Sequence, residues 1–123
     1  MIKYVELPEF VKDFNRLKKK FRSLPEDFIM SKKAALELFH VLEINNQSTF
    51  EMPSYRGVVP VFKLKKFACR ALKGRGARSG IRVTYAWDKK NGTITFIETY
   101  FKGTKVNEDR VRINKYLHSL LSQ

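Results

Sequence analysis

Hydrophobic positions along the chain change spacing three times, and each change marks a different kind of element. Residues Ile2 to Leu7 predict a short strand that ends at Pro8, a residue suited to the first turn of a helix. Phe10, Phe14, Leu17, Phe21 and Leu24 then recur at steps of four and three, which is one apolar helix face, while Lys12, Arg16, Lys18, Lys19, Lys20 and Arg22 take the remainder. Ser23-Leu-Pro-Glu26 combines capping-box spacing with an early proline. It opens a second helix whose apolar side takes in Phe28, Ala35, Leu38, Phe39 and Leu42.

Between Glu43 and Pro60 the pattern becomes polar and irregular, and a long loop is expected. Val61 to Phe67 alternates Phe62 and Leu64 against Lys63 and Lys65, the period of a half-buried strand with a cationic outer face. A glycine-rich loop from Arg70 to Gly80 precedes a strand from Ile81 to Trp87. Asp88-Lys-Lys-Asn-Gly92 supplies an Asn-Gly hairpin turn into a strand from Thr93 to Lys102, so these two strands should be antiparallel neighbours. Asn107-Glu-Asp reads as an N-cap followed by dipole-favourable acids, and Ile113, Leu117, Leu120 and Leu121 give a terminal helix its apolar face. The expected class is α+β, in the order β-α-α-β-β-β-α. It comprises a small, twisted, antiparallel-rich sheet with an N-terminal helical hairpin on one face and a C-terminal helix. One domain spans residues 1–123, without internal repeats.

Composition narrows the function classes. The 123 residues carry 25 Lys+Arg against 12 Asp+Glu, a formal charge of +13, yet 43% are hydrophobic, enough for a folded core. The charge must then lie on a folded surface, where it repels itself unless a polyanion binds. The single Cys69 cannot form an internal disulfide and suits a reducing cytoplasm. With only His40 and His118 no zinc constellation is spelled, so no metal or other cofactor is expected. No apolar run approaches membrane-spanning length and the start lacks a signal-peptide core, so a soluble cytoplasmic protein without membrane contact is expected.

From Met52 to Trp87 there are nine basic residues and no acidic one: Arg56, Lys63, Lys65, Lys66, Arg70, Lys73, Arg75, Arg78 and Arg82. Lys63 and Lys65 share a strand face that Arg82 reaches from a neighbour, with Lys102 at the far end of the last strand. Like charges on one sheet face favour a bound phosphate backbone. Lys18, Lys19 and Lys20 fit either a solvated face or contact with RNA or the ribosome. The loop from Lys73 to Gly80 is either a phosphate clamp or a connector, and its glycines match neither a dinucleotide fingerprint nor a P-loop, which excludes a nucleotide cofactor.

Classical hydrolase chemistry is disfavoured, because His40 and His118 fall in separate helices and no Ser, His and Asp spacing or paired carboxylates appear. Chemistry by cations remains. Cleaving RNA through its own 2′-hydroxyl requires a base for that proton, positive charge on the phosphorane and an acid for the leaving oxygen. Clustered lysines lower one another's pKa, so one can act as base while arginines hold phosphate. Alternation places Glu98, Tyr100 and Lys102 on one side of the last strand. Glu98 and Tyr100 are either proton carriers and stacking platforms, or a surface ion pair and an edge aromatic.

The element order, with Phe-Lys-Leu-Lys at 62–65, Ser-Gly-Ile-Arg at 79–82 and Thr95-Phe-Ile-Glu-Thr-Tyr-Phe-Lys102, resembles RelE-type toxins of the RelE/ParE toxin-antitoxin superfamily. The resemblance covers most of the chain. It implies metal-independent cleavage of mRNA in the ribosomal A site and neutralisation by a cognate acidic antitoxin. It also implies Lys63 and Lys65 as base and charge stabiliser, Arg82 on the scissile phosphate and Lys102 near a further basic position. Gly103 stands where the family often places Arg, and Tyr100 is the nearest counterpart of a tyrosine found beyond it. A ParE-like inhibitor of DNA gyrase and a non-catalytic RNA-binding module of the same shape are the alternatives.

Overall fold

A computed structural model describes residues 2–45, 47–65 and 80–122. Strand β1 (Lys3–Glu6) leads into helix α1 (Pro8–Lys20), with proline in the first turn and Lys18, Lys19 and Lys20 in the last, where cations suit the helix dipole. Helix α2 (Leu24–Ser31) runs on through a π-helical stretch, Lys32–Glu37, into a short α3 (Leu38–His40). That wide stretch breaks the regular helical phase. Leu36 is fully buried beside Ala35, while Leu42, expected on the apolar side, is 62% exposed beyond the end of α3. Ser23 precedes α2 as expected, but its hydroxyl donates to the Asp27 carboxylate at 2.7 Å rather than closing a capping box with Glu26.

The expected long loop contains a strand, β2 (Thr49–Glu51), followed by β3 (Val61–Leu64), β4 (Ile81–Asp88) and β5 (Thr93–Phe101). Together with β1 they form one five-stranded mixed sheet in the order β1-β5-β4-β3-β2. Strand β1 runs parallel to β5, and the remaining pairs are antiparallel. The α+β class and the β4/β5 pairing agree with expectation; the strand count and element order are corrected by β2. Gly92 takes a φ of 61° in the β4/β5 connection, which the Asp88 carboxylate closes by accepting from the Asn91 amide N–H at 3.2 Å.

One sheet face packs on the N-terminal helices. Phe62, Leu64, Ile81, Val83, Tyr85, Ile94 and Phe96 meet Phe10, Phe21, Leu24, Phe28 and Leu36 there. The other face is smaller: Val61, Ala86 and Ile97 meet Tyr55 and, from helix α4 (Arg110–Leu121), Ile113 and Leu117. Leu121, expected on the buried side of α4, is exposed. The N-cap of α4 is Asp109, whose side chain accepts from the Arg112 N–H at 3.0 Å, so Asn107 lies outside the cap.

Strand β5 carries a bulge. Thr84 faces Glu98 but Tyr85 faces Phe96, leaving Ile97 as the extra residue. Beyond Phe96, β5 has no β1 partner, and its free edge is satisfied by side chains. Arg112 donates to the Ile97 carbonyl at 3.2 Å, and the Asp13 carboxylate accepts from the Thr99 N–H at 3.3 Å. Arg112 and Asp13 also pair with each other at 2.5 Å, so one ion pair braces α1, β5 and α4.

Candidate functional site

Register brings the expected cations together on the α4 side of the sheet. Lys63 lies opposite Thr84, which lies opposite Glu98, and in the next row Arg82 lies opposite Tyr100. The bulge at Ile97 makes this possible. Strict alternation would leave Glu98 and Tyr100 on the side of Ile94 and Phe96, whereas the extra residue turns them toward Lys63 and the start of α4. Lys65, just past β3, is exposed, and its ammonium stands 5.3 Å from the Phe50 ring centre. Arg82 is half-buried and donates to the Lys65 carbonyl at 3.0 Å. Lys102 is exposed beyond β5, and its N–H donates to the Gly80 carbonyl at 2.8 Å.

Two of the expected residues are not free. Lys63 donates to the Glu108 carboxylate, and each side chain of this pair is only 13% exposed. The other Glu108 oxygen accepts from the Tyr55 hydroxyl at 2.8 Å. Burial alone would lower the Lys63 pKa, but its bonds to Glu108 and Tyr100 outweigh that and raise it. Clustering with other lysines was expected to lower it, so the direction is the opposite of that expected for a base. Burial likewise works to raise Glu108, and the bonds from Lys63 and Tyr55 overcome it and pull the carboxyl down to about 2. Tyr55 is pushed up to about 12 by burial and by the Glu108 carboxylate.

Glu98 is 1% exposed and fully engaged: it accepts from the Asp109 N–H at 2.7 Å and from the Lys105 ammonium. It is therefore a buried anchor for the start of α4, not the surface ion pair or open proton carrier read from alternation. Tyr100 is buried, with the ammoniums of Lys63 and Lys105 at 6.0 and 5.8 Å from its ring centre. Burial raises its pKa against the pull of Lys63. Glu108, read from sequence as a first-turn helix charge, precedes the cap and serves as counter-ion to Lys63.

No family model, curated protein or solved structure matches this chain.

Lys18, Lys19 and Lys20 are exposed at the end of α1, where the Lys20 ammonium lies 5.2 Å from the centre of the Phe101 ring. Since Phe101 pairs with Ile81, this cluster shares an end of the sheet with Arg82 and Lys102, although α1 covers the opposite face. Lys66, Arg70, Lys73, Arg75 and Arg78 lie outside the described residues. His40 sits among Phe39, Phe62, Tyr85 and Trp87, with Nε2 2.6 Å from the Tyr85 hydroxyl, and burial lowers its pKa to about 4. His118 is exposed on α4. Gly103 has no room for a side chain, since a Cβ there would meet the Phe101 ring, with Cζ at 2.8 Å. Among the described residues no three His, Cys, Asp or Glu side chains group as a metal site, and no helix is long and apolar enough to cross a membrane.

Phe50, Tyr55, Lys105 and Arg110 were not singled out in the sequence, and Glu108 was read only as a helix-start charge. Phe50 is 41% exposed and pairs with Lys63 across β2 and β3, offering an aromatic surface beside Lys65. Arg110 places its guanidinium 5.1 Å from the Tyr55 ring centre. Cations of this kind can hold a phosphate backbone, and the exposed Phe50 ring beside Lys65 can stack a base.

Proposed function

We propose that this chain is a RelE-type toxin of a type II toxin-antitoxin system, an endoribonuclease that cleaves mRNA on the ribosome without a metal cofactor. The observation that carries the reading is the convergence of Lys63, Lys65, Arg82 and Tyr100 on one sheet face beside the exposed Phe50. The order of elements, apart from the added β2, is also that of the family the sequence resembles. In the proposed reaction the 2′-oxygen attacks phosphorus as its proton leaves, and the bond to the 5′-oxygen breaks as that oxygen gains a proton. Lys65, which pairs with no carboxylate among the described residues, is the candidate base. Arg82 holds the phosphate, and the protonated Lys63 and Lys102 stabilise charge on its oxygens. The cationic surplus also suits a small acidic antitoxin that covers the same face.

One observation favours a second reading. The Lys63 ammonium is bound to Glu108 and both Glu98 oxygens are engaged, an arrangement that suits a non-catalytic RNA-binding module. Expression of the protein alone separates the readings. The toxin slows growth and leaves new transcript ends inside translated frames; intact transcripts with tight RNA binding favour the module. Intact transcripts with gyrase-linked DNA damage favour a ParE-like protein.

A further inference from the structure

The pairing of Glu108 with Lys63 and Tyr55 has the chemistry of an occupied anion site. A carboxylate presents two acceptor oxygens, and here one takes the Lys63 ammonium while the other takes the Tyr55 hydroxyl at 2.8 Å. The two nonbridging oxygens of a phosphodiester offer the same pair of acceptors to the same donors. Arg110, exposed in the first turn of α4 with its guanidinium 5.1 Å from the Tyr55 ring centre, adds, beside that ring, a second cation to that of Lys63. Glu108 itself lies just outside α4, at the end of an exposed irregular segment from Gly103 to Asn107, so it can leave without unwinding the helix. Glu98 and Lys105 hold the neighbouring Asp109 N–H in place independently of Glu108.

We infer that Lys63, Tyr55 and Arg110 form a binding site for an RNA phosphate that Glu108 fills in the free protein, so that RNA must displace this carboxylate to engage the sheet face. The inference deepens the RNA-directed reading proposed above and rests on it. Its consequence is competition within the chain. The apparent affinity for RNA is the intrinsic affinity reduced by the fraction of molecules in which the site is open.

The test is equilibrium binding of a short 2′-O-methyl RNA, which cannot be cut through its 2′-position, to the wild-type protein and to Glu108→Gln over a range of salt. If the site is open in about one molecule in ten, the substitution tightens binding about tenfold. It also steepens the slope of log affinity against log salt by about 0.7, one additional single-strand phosphate contact. Tyr55→Phe introduced beside Glu108→Gln should reverse part of the gain. Equal or weaker binding by a Glu108→Gln protein that melts cooperatively overturns the inference. The wild-type protein gives a second readout that needs no variant: saturating RNA must shift the Glu108 carboxyl and Tyr55 ring resonances, and a titration that leaves both unmoved also overturns it. Failure here with RNA still cleaved leaves the nuclease reading standing. Tighter binding by Glu108→Gln with cleavage by neither protein supports the phosphate site and removes the nuclease.

Discussion

Replacing Asp13 with Ala tests the brace that fixes α4 against the sheet. Asp13 is buried on α1 and accepts from Arg112 at 2.5 and 3.4 Å and from the Thr99 N–H at 3.3 Å. Truncation leaves the Arg112 guanidinium, 20% exposed at its side chain, without its main counter-charge. It still keeps the Ile97 carbonyl at 3.2 Å and a loose approach to Asp109 at 3.9 Å. The Thr99 N–H on the β5 edge loses its acceptor as well, a loss of about 1 to 3 kcal/mol on its own. Breaking one side of a buried pair costs about 3 to 5 kcal/mol, and the carbonyl that Arg112 retains places Asp13→Ala toward the lower end. Urea melts should show a lower midpoint at unchanged slope. Asp13→Ala combined with Arg112→Met should cost less than the two singles together, by about 1 to 3 kcal/mol. A cost below about 1 kcal/mol for Asp13→Ala, or strict additivity, would refute the brace.

Three further outcomes follow from the same geometry. His40 titrates at about 4 against an ordinary 6.5, so between these values the unfolded chain binds a proton that the native state does not. Stability should therefore rise with pH across that window and level off above it, and His40→Leu should abolish the slope in urea melts; an unchanged slope contradicts this account. The depressed Glu108 carboxyl works at lower pH: its contribution is complete above about 4.5 and is lost as pH falls toward 2, so Glu108→Gln should flatten that acid limb. Phe50→Ala should weaken RNA binding by about 1 to 3 kcal/mol, measured by fluorescence anisotropy, and should lower thermal stability less than truncation of a core ring, because Phe50 is 41% exposed. Unchanged affinity would remove Phe50 from the interface.

The elements with strong periodicity were legible in the sequence. Phe10 marked the inner face of α1 and the buried Phe21 directly follows its last turn, while Asn91-Gly92 marked the β4/β5 connection. Strand β2 was hidden because it is only Thr49–Glu51, set among polar residues and Pro53, and owes its pairing to β3 rather than to its own pattern. The bulge at Ile97 leaves only a short mark, the adjacent apolar pair Phe96-Ile97 followed by the polar pair Glu98-Thr99, which breaks the period of two within an otherwise apolar-rich strand. Its effect is to carry Glu98 and Tyr100 across the sheet. The most consequential miss is Glu108. Local capping logic explained Asn107-Glu-Asp adequately, and nothing within a few residues signals that the middle carboxylate reaches Lys63, 45 positions earlier. The absence of acids between Met52 and Trp87 was correct as a count, but a distant segment supplies the counter-charge.

The central claim is that Lys65 and Arg82 cut RNA, and the most direct measurement is a map of transcript 5′ ends in cells expressing the wild-type protein, Lys65→Ala or Arg82→Ala. The account predicts new ends inside translated frames for the wild type and none for either variant, with all three proteins folded as judged by thermal melting. Absence of new ends with the wild-type protein, or the same ends with both variants, would contradict it.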